Sequence, residues 1–153
     1  MSEVSHRPAV PADAALLAPL LRVTEQDEVR ATHRDVEHAI LTSIQASALA
    51  VVTYIDGEPA GIWGVSELSL LGDLVMPWAL ATDVADRKPK AFYRECKKIV
   101  KGLRQNHRNL INYVDGRHEK ALRWAERIGF TVGDPVFFGN ERRPFYKISM
   151  GGA

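Results

Sequence analysis

The sequence predicts a single mixed α/β domain of the α+β kind. Two observations carry this prediction: helical periodicity fills the first third of the chain, and strand-like runs interleaved with two further helices fill the rest. A third is scale. With 153 residues, 46% hydrophobic and 25% charged, the chain suits one core and is too apolar for disorder.

Arg7 to Asp13 reads as an extended segment entering a helix, with Pro11 and Asp13 suited to its first turn and Leu16, Leu17, Leu20 and Leu21 as its apolar stripe. Thr24 to Arg30 reads as a polar bridge. Thr32 is then expected to cap a second helix, with Asp35 three residues on and Val36, Ile40, Ser43 and Ile44 facing inward. From Ala48 the period changes. Ala48 to Ile55 is a β-branched run, Asp56-Gly57 is a hairpin turn signal, and Pro59 to Val65 is the partner strand. Leu74 to Thr82 is a further strand, whose Pro77 implies an edge position or a bulge.

A longer helix starts near Pro89, with Phe92, Cys96, Ile99, Val100 and Leu103 on one side and basic residues on the other. Leu110 to Val114 is a short strand. Arg117 to Ile128 is a helix closed by Gly129. Val132 to Phe138 and Phe145 to Met150 then pair across Gly139-Asn140, with Arg142, Arg143 and Pro144 in the connection.

A formal net charge of +1 gives no global pull toward nucleic acid or membrane, so a charged partner must be met by a local patch. The lone cysteine, Cys96, excludes an internal disulfide and thiolate-rich metal sites, and points to a cytosolic setting. The polar N-terminus shows no signal-peptide run, and no stretch approaches the roughly 20 apolar residues of a membrane span.

His118-Glu119-Lys120-Ala121-Leu122-Arg123-Trp124-Ala125-Glu126-Arg127-Ile128-Gly129-Phe130 resembles the pattern Asn-x-x-Ala-φ-x-φ-Tyr-Glu-Lys-φ-Gly-Phe of the GNAT (Gcn5-related N-acetyltransferase) superfamily, φ being apolar. The element order matches that fold along nearly the whole chain. The resemblance implies a sheet whose fourth and fifth strands splay around acetyl-CoA. His118 stands where Asn is usual, and Ala125 replaces the Tyr that protonates the leaving thiolate in many members. The family's Arg/Gln-x-x-Gly-x-Gly/Ala loop, whose backbone N–H groups hold the pyrophosphate, corresponds to Val84–Phe92, which has no glycine. Side chains there obstruct close phosphate approach, with Arg87, Lys88 and Lys90 as compensating charges.

A narrower resemblance covers Pro77 to Asp83, the basic helix with Phe92 and Arg94, Leu110 to Asp115, and Ile128-Gly129-Phe130. This set is similar to bacteriophage GNAT-like proteins known as internal virion protein A of short-tailed phages. It implies phage or host proteins as partners, and a place in the host cytoplasm or the virion.

The resemblance makes Ala81, Thr82, Arg87, Lys88, Lys90 and Asn112 candidates for acetyl-CoA binding, with Asp83 and His118 as candidate proton acceptors. Each has a structural alternative: Asp83 as a turn residue, His118 as a helix-start residue, Asn112 as a brace at the cleft edge. Lys90, Arg94, Lys97, Lys98, Lys101, Arg104 and Arg108 form either a polyanion site or a solvated helix face. Three functions compete. They are an acetyl-CoA-dependent N-acyltransferase, a GNAT-like protein of impaired catalysis serving virion assembly, and a nucleic-acid module that the scarcity of interleaved aromatics disfavours.

Overall fold

The computed structural model describes residues 2–33, 35–69, 73–138 and 142–151. In chain order the elements are β1 (Val4–Pro8), α1 (Asp13–Leu17) running into a 3-10 turn, α2 (Val23–Thr32), α3 (Val36–Ala46), β2 (Leu49–Ile55), β3 (Glu58–Glu67) and β4 (Leu74–Ala81). There follow α4 (Val84–Arg87), α5 (Pro89–Asn106), β5 (Asn109–Asp115), α6 (Glu119–Ile128), β6 (Thr131–Phe138) and β7 (Arg143–Met150). The seven strands form one sheet in the order β1-β2-β3-β4-β5-β7-β6, antiparallel except for β4 beside β5.

The strand positions and the two C-terminal helices hold, although Pro77 lies in a central strand without a bulge rather than at an edge, and most other differences lie at the N-terminus. Thr24 to Arg30 belongs to α2 rather than to a bridge, and Thr32 is the last residue of α2. The cap of α3 is Asp35, whose carboxylate accepts from the Glu37 N–H at 3.3 Å. In α1 Ala14 and Leu17 face inward, as does Leu21 beyond the 3-10 turn, while Leu16 and Leu20 are exposed. An i, i+3 spacing sets the α1 face, and Leu16 falls off it. Arg143 and Pro144 already lie in β7; Gly139-Asn140 falls outside the described residues.

Local chemistry explains the remaining boundaries. Asp56 and Gly57 take positive φ (50° and 81°), as a two-residue hairpin loop requires. Gly129 closes α6 at φ 122°, its N–H donating to the carbonyls of Ala125 and Glu126. Asp13 is buried and binds the Arg7 guanidinium at 2.6 and 2.8 Å, fastening α1 to β1.

Three buried clusters flank the sheet, the smallest being Ile55, Ala60 and Val84 with Ala91 and Phe92 of α5 against them. α1–α3 cover one face over Val52 and Ile62, with Trp78 and Leu80 packed alongside. α5 and α6 cover Val65, Val75, Leu110 and Ile148 on the other. The sequence reading places the three tryptophans in apolar elements. Trp63 and Trp78 pack on opposite cores, donating to Thr53 Oγ1 (3.2 Å) and Ser47 Oγ (2.7 Å). Trp124 stacks on Phe92 with ring centroids 5.9 Å apart, tying α6 to α5. Cys96 is largely shielded, and burial pushes its thiol up to about 12, which fits a small hydrophobe rather than a nucleophile. No described helix is long and apolar enough to cross a membrane.

Candidate functional site: the gap between two splayed strands

β4 and β5 pair only at Leu74↔Asn109 and Val75↔Leu110, then diverge. The hydrogen-bond phase of β4 determines what the resulting V-shaped gap offers. Thr82 N–H donates to Ala60 O and Leu68 N–H to Leu74 O. Positions 74, 76, 78, 80 and 82 therefore bond to β3, and the backbone groups of 75, 77, 79 and 81 turn toward β5. This explains Pro77 in a central strand: its missing N–H faces the gap, so no bond to β3 is lost.

Each gap-facing position has a distinct fate. Val75 closes the vertex. The Pro77 carbonyl accepts from Asn112 Nδ2 at 2.7 Å, while Asn112 Oδ1 accepts from the Tyr113 N–H at 2.7 Å. Asn112 thus braces the two strands just above the vertex. At the open end, the Ala81 carbonyl accepts from the Arg22 N–H at 3.0 Å, and the Ala81 N–H donates to Glu25 Oε2 at 3.4 Å. Leu21 bridges Thr82 in antiparallel fashion. Ala79 remains: among the described residues no strand or side chain meets its N–H or C=O.

The open end holds a polar cluster of which the sequence reading named only His118. Glu25 is 6% exposed and binds Arg22 Nη2 at 2.6 Å; Arg22 Nη1 also reaches Asp86 at 3.0 Å. Burial raises the Glu25 carboxyl above the usual range, partly offset by Arg22. Next to it His118 Nδ1 lies 3.0 Å from Glu28 Oε2, and that hydrogen bond raises the imidazole above its ordinary value. His118 has no capping bond at the start of α6. Leu21, Glu25, Glu28 and Val29 recur at helical spacing, the signal that could have found the cluster. Two buried or half-buried carboxylates in the inward stripe made it read as polar.

Because the folded imidazole is raised, the His118–Glu28 contribution to stability is full below the ordinary value of about 6.5 and is lost as pH rises through the folded value. An NMR titration should show His118 ionising above a free imidazole, and Glu28→Gln should bring it down. A wild-type His118 titrating at or below about 6.5 would refute the assignment.

The remaining predicted site residues lie away from this cluster. Thr82 is 2% exposed; its hydroxyl donates to Pro59 O at 2.8 Å and accepts from the Val84 N–H at 3.3 Å, so it shapes the strand end. Asp83 is exposed, with its carboxylate 3.5 Å from Arg87. Arg87 makes two 3.2 Å contacts with Glu58, and Lys88 is hydrogen-bonded to Asp56. Both cations are therefore tied to the β2–β3 hairpin. Where the resemblance implies a phosphate-binding loop, the chain forms α4. The N–H groups of residues 85–88 are consumed by the carbonyls of Thr82, Asp83 and Val84. Lys90, on the first turn of α5, is exposed and without an ion-pair partner among the described residues. No group of three or more His, Cys, Asp or Glu is arranged to hold a metal among the described residues.

No protein-family model matches this sequence, and no curated protein matches it. Its backbone is similar to that of many solved structures. One is a putative acetyltransferase from Salmonella typhimurium with its cofactor acetyl-CoA, 14% identical over 97% of this chain and 93% of that one, at a TM-score of 0.70. Another is the aminoglycoside acetyltransferase AAC(6')-Ib in complex with coenzyme A, at 18%, 98%, 95% and 0.70 respectively. A third is an acetyltransferase of GNAT family from Streptococcus pneumoniae, at 16%, 97%, 99% and 0.64. Identities this low establish the fold: the chain has the GNAT architecture.

Proposed function

We propose that this is a GNAT-fold protein that retains the place of acetyl-CoA but grips it weakly, with acyl transfer impaired. The observation that carries the reading is that most groups able to receive the pyrophosphate, Lys90 apart, are already engaged internally. A pantetheine arm would lie in the gap, where Ala79, with its small side chain, has an open N–H and C=O for an extended amide. The pyrophosphate fits poorly: the N–H groups of residues 85–88 are consumed within α4, and Arg87 and Lys88 are paired with Glu58, Asp83 and Asp56. The neighbours with acetyl-CoA or coenzyme A bound support the choice of cofactor.

Calorimetry with acetyl-CoA should give a dissociation constant weaker than about 0.1 mM, near −5.5 kcal/mol. Submicromolar binding would overturn the reading. Releasing the two cations should tighten binding. Asp56→Asn, which keeps the turn chemistry, combined with Glu58→Gln should raise affinity about three- to tenfold, and salt should erase the gain.

A second reading, an active N-acyltransferase, draws on Glu25. Acetyl-CoA would supply the activated acyl group. Glu25, buried at the open end with a raised carboxyl, would hold the proton released by an amine acceptor. Under this reading Glu25→Gln abolishes transfer while leaving cofactor affinity unchanged.

For its biological setting, we propose a protein of bacteriophage origin acting with virion or host proteins during particle assembly. The similarity of Pro77–Asp83, Leu110–Asp115 and Ile128–Phe130 to the phage GNAT-like proteins supports this. Co-purification of the chain with particle intermediates from infected cells is the test; its confinement to the free soluble fraction at every stage would refute it.

A further inference from the structure

The outer side of α5 carries a groove of about 780 Å³ at the edge of the α5–α6 core, away from the gap between β4 and β5. Its floor is apolar, made by Val100, Ile128 at the end of α6 and Met150 at the end of β7. Its rim is cationic, made by Lys90, Arg94, Lys97, Lys98, Lys101 and Arg104. Those six stand on one helix against a single acid, Glu95, in a chain of net charge +1. The rest of the chain is therefore net acidic, and the positive charge is concentrated here.

These cations are freer than several others in the molecule. Arg22, Arg87, Lys88 and Arg117 are held by carboxylates. Of the six on the rim, only Lys98 makes an ion pair among the described residues, to Glu95 at a loose 3.9 Å. Residues 90, 94, 97, 101 and 104 follow i, i+3 and i+4 steps. They lay a positive stripe roughly 21 Å long at 1.5 Å per residue.

The floor discriminates between polyanions. A single nucleic-acid strand needs open aromatic faces on which bases stack. Tyr93, the one aromatic ring in the groove, is not open: Arg127 lies 4.6 Å and Lys97 5.6 Å from its centroid, and its hydroxyl donates to Arg127 O at 3.0 Å. A duplex would meet the rim and leave the apolar floor in water. A protein segment with alternating carboxylates and apolar side chains satisfies both surfaces. We propose that this groove binds an acidic, amphipathic segment of a partner protein, carboxylates on the rim and apolar side chains on Val100, Ile128 and Met150. The proposal stands independently of acetyl-CoA binding.

The test is fluorescence anisotropy on the full chain with a labelled peptide in which leucine recurs at three- and four-residue steps among glutamates. Saturable binding is expected, at least about tenfold tighter than that of a leucine-free glutamate peptide, one floor contact being worth that much. The exposed pair Lys97→Glu and Lys101→Glu should weaken binding at least about tenfold with an unchanged thermal melt. Four outcomes would each overturn the proposal. They are equal affinity for the leucine-free peptide, tighter binding of duplex DNA of equal charge, binding unchanged in the double variant, and displacement of the peptide by acetyl-CoA. The last would make the groove the cofactor's nucleotide seat.

Discussion

Leu110→Ala should destabilise the protein by about 2–5 kcal/mol, the range for emptying a fully buried leucine site. Leu110 is 0% exposed and packs with Val75, Leu103, Ala125 and Ile148. It also pairs with Val75 at the last rung before β4 and β5 part. The site cannot collapse easily, because β3 on one side and β7 on the other hold the two strands in register. The loss should therefore fall near the upper end of the range. Urea unfolding reads it as a lower midpoint with unchanged slope. Hydrogen exchange should rise first along β5, where the vertex is the only strand contact to β4. A loss below about 1 kcal/mol would mean that the vertex is not packed as described.

Gly64→Ala should cost about 2–4 kcal/mol, unusual for adding one methyl group. A Cβ at Gly64 would lie 2.6 Å from the Trp78 indole, so the ring must move. Trp78 is not a free-ended side chain: its Nε1–H donates to Ser47 Oγ at 2.7 Å and its ring packs against the α1–α3 core. Overpacking accounts for about 1–3 kcal/mol, and loss of the indole hydrogen bond for about 1 more. Thermal melting should fall by roughly 4–16 °C. The double variant Gly64→Ala with Trp78→Phe should regain part of it, because the smaller ring frees the space. Equal melting of wild type and Gly64→Ala would contradict the contact.

The sheet was legible in the sequence because its signals are local. The β-branched run before Asp56-Gly57, the glycine after Ile128 and the alternating segments of β6 and β7 each report on their own neighbourhood. α2 was not legible, since its buried face carries Glu25 as well as Val29, and a carboxylate inside a stripe erases the apolar period. The same substitution of polar for apolar makes the open end of the gap chemically interesting. Arg87 and Lys88 were recognised as exposed cations near the expected phosphate loop. Their partners, Glu58 and Asp56, lie about thirty residues away in sequence, a distance that no local pattern spans. Asn112 was placed at the cleft edge, and only the phase of β4 reveals that it braces the strands.

Pro77 has one further consequence. A splayed strand is an edge in the middle of a sheet, and an edge with free N–H groups invites pairing with another chain. Having no N–H to offer on that side, with its carbonyl already taken by Asn112, Pro77 interrupts the ladder an incoming strand would need. Only the short stretch at Ala79 stays adhesive. The protein can thus keep two strands splayed in the middle of its sheet without making the gap between them a seed for aggregation.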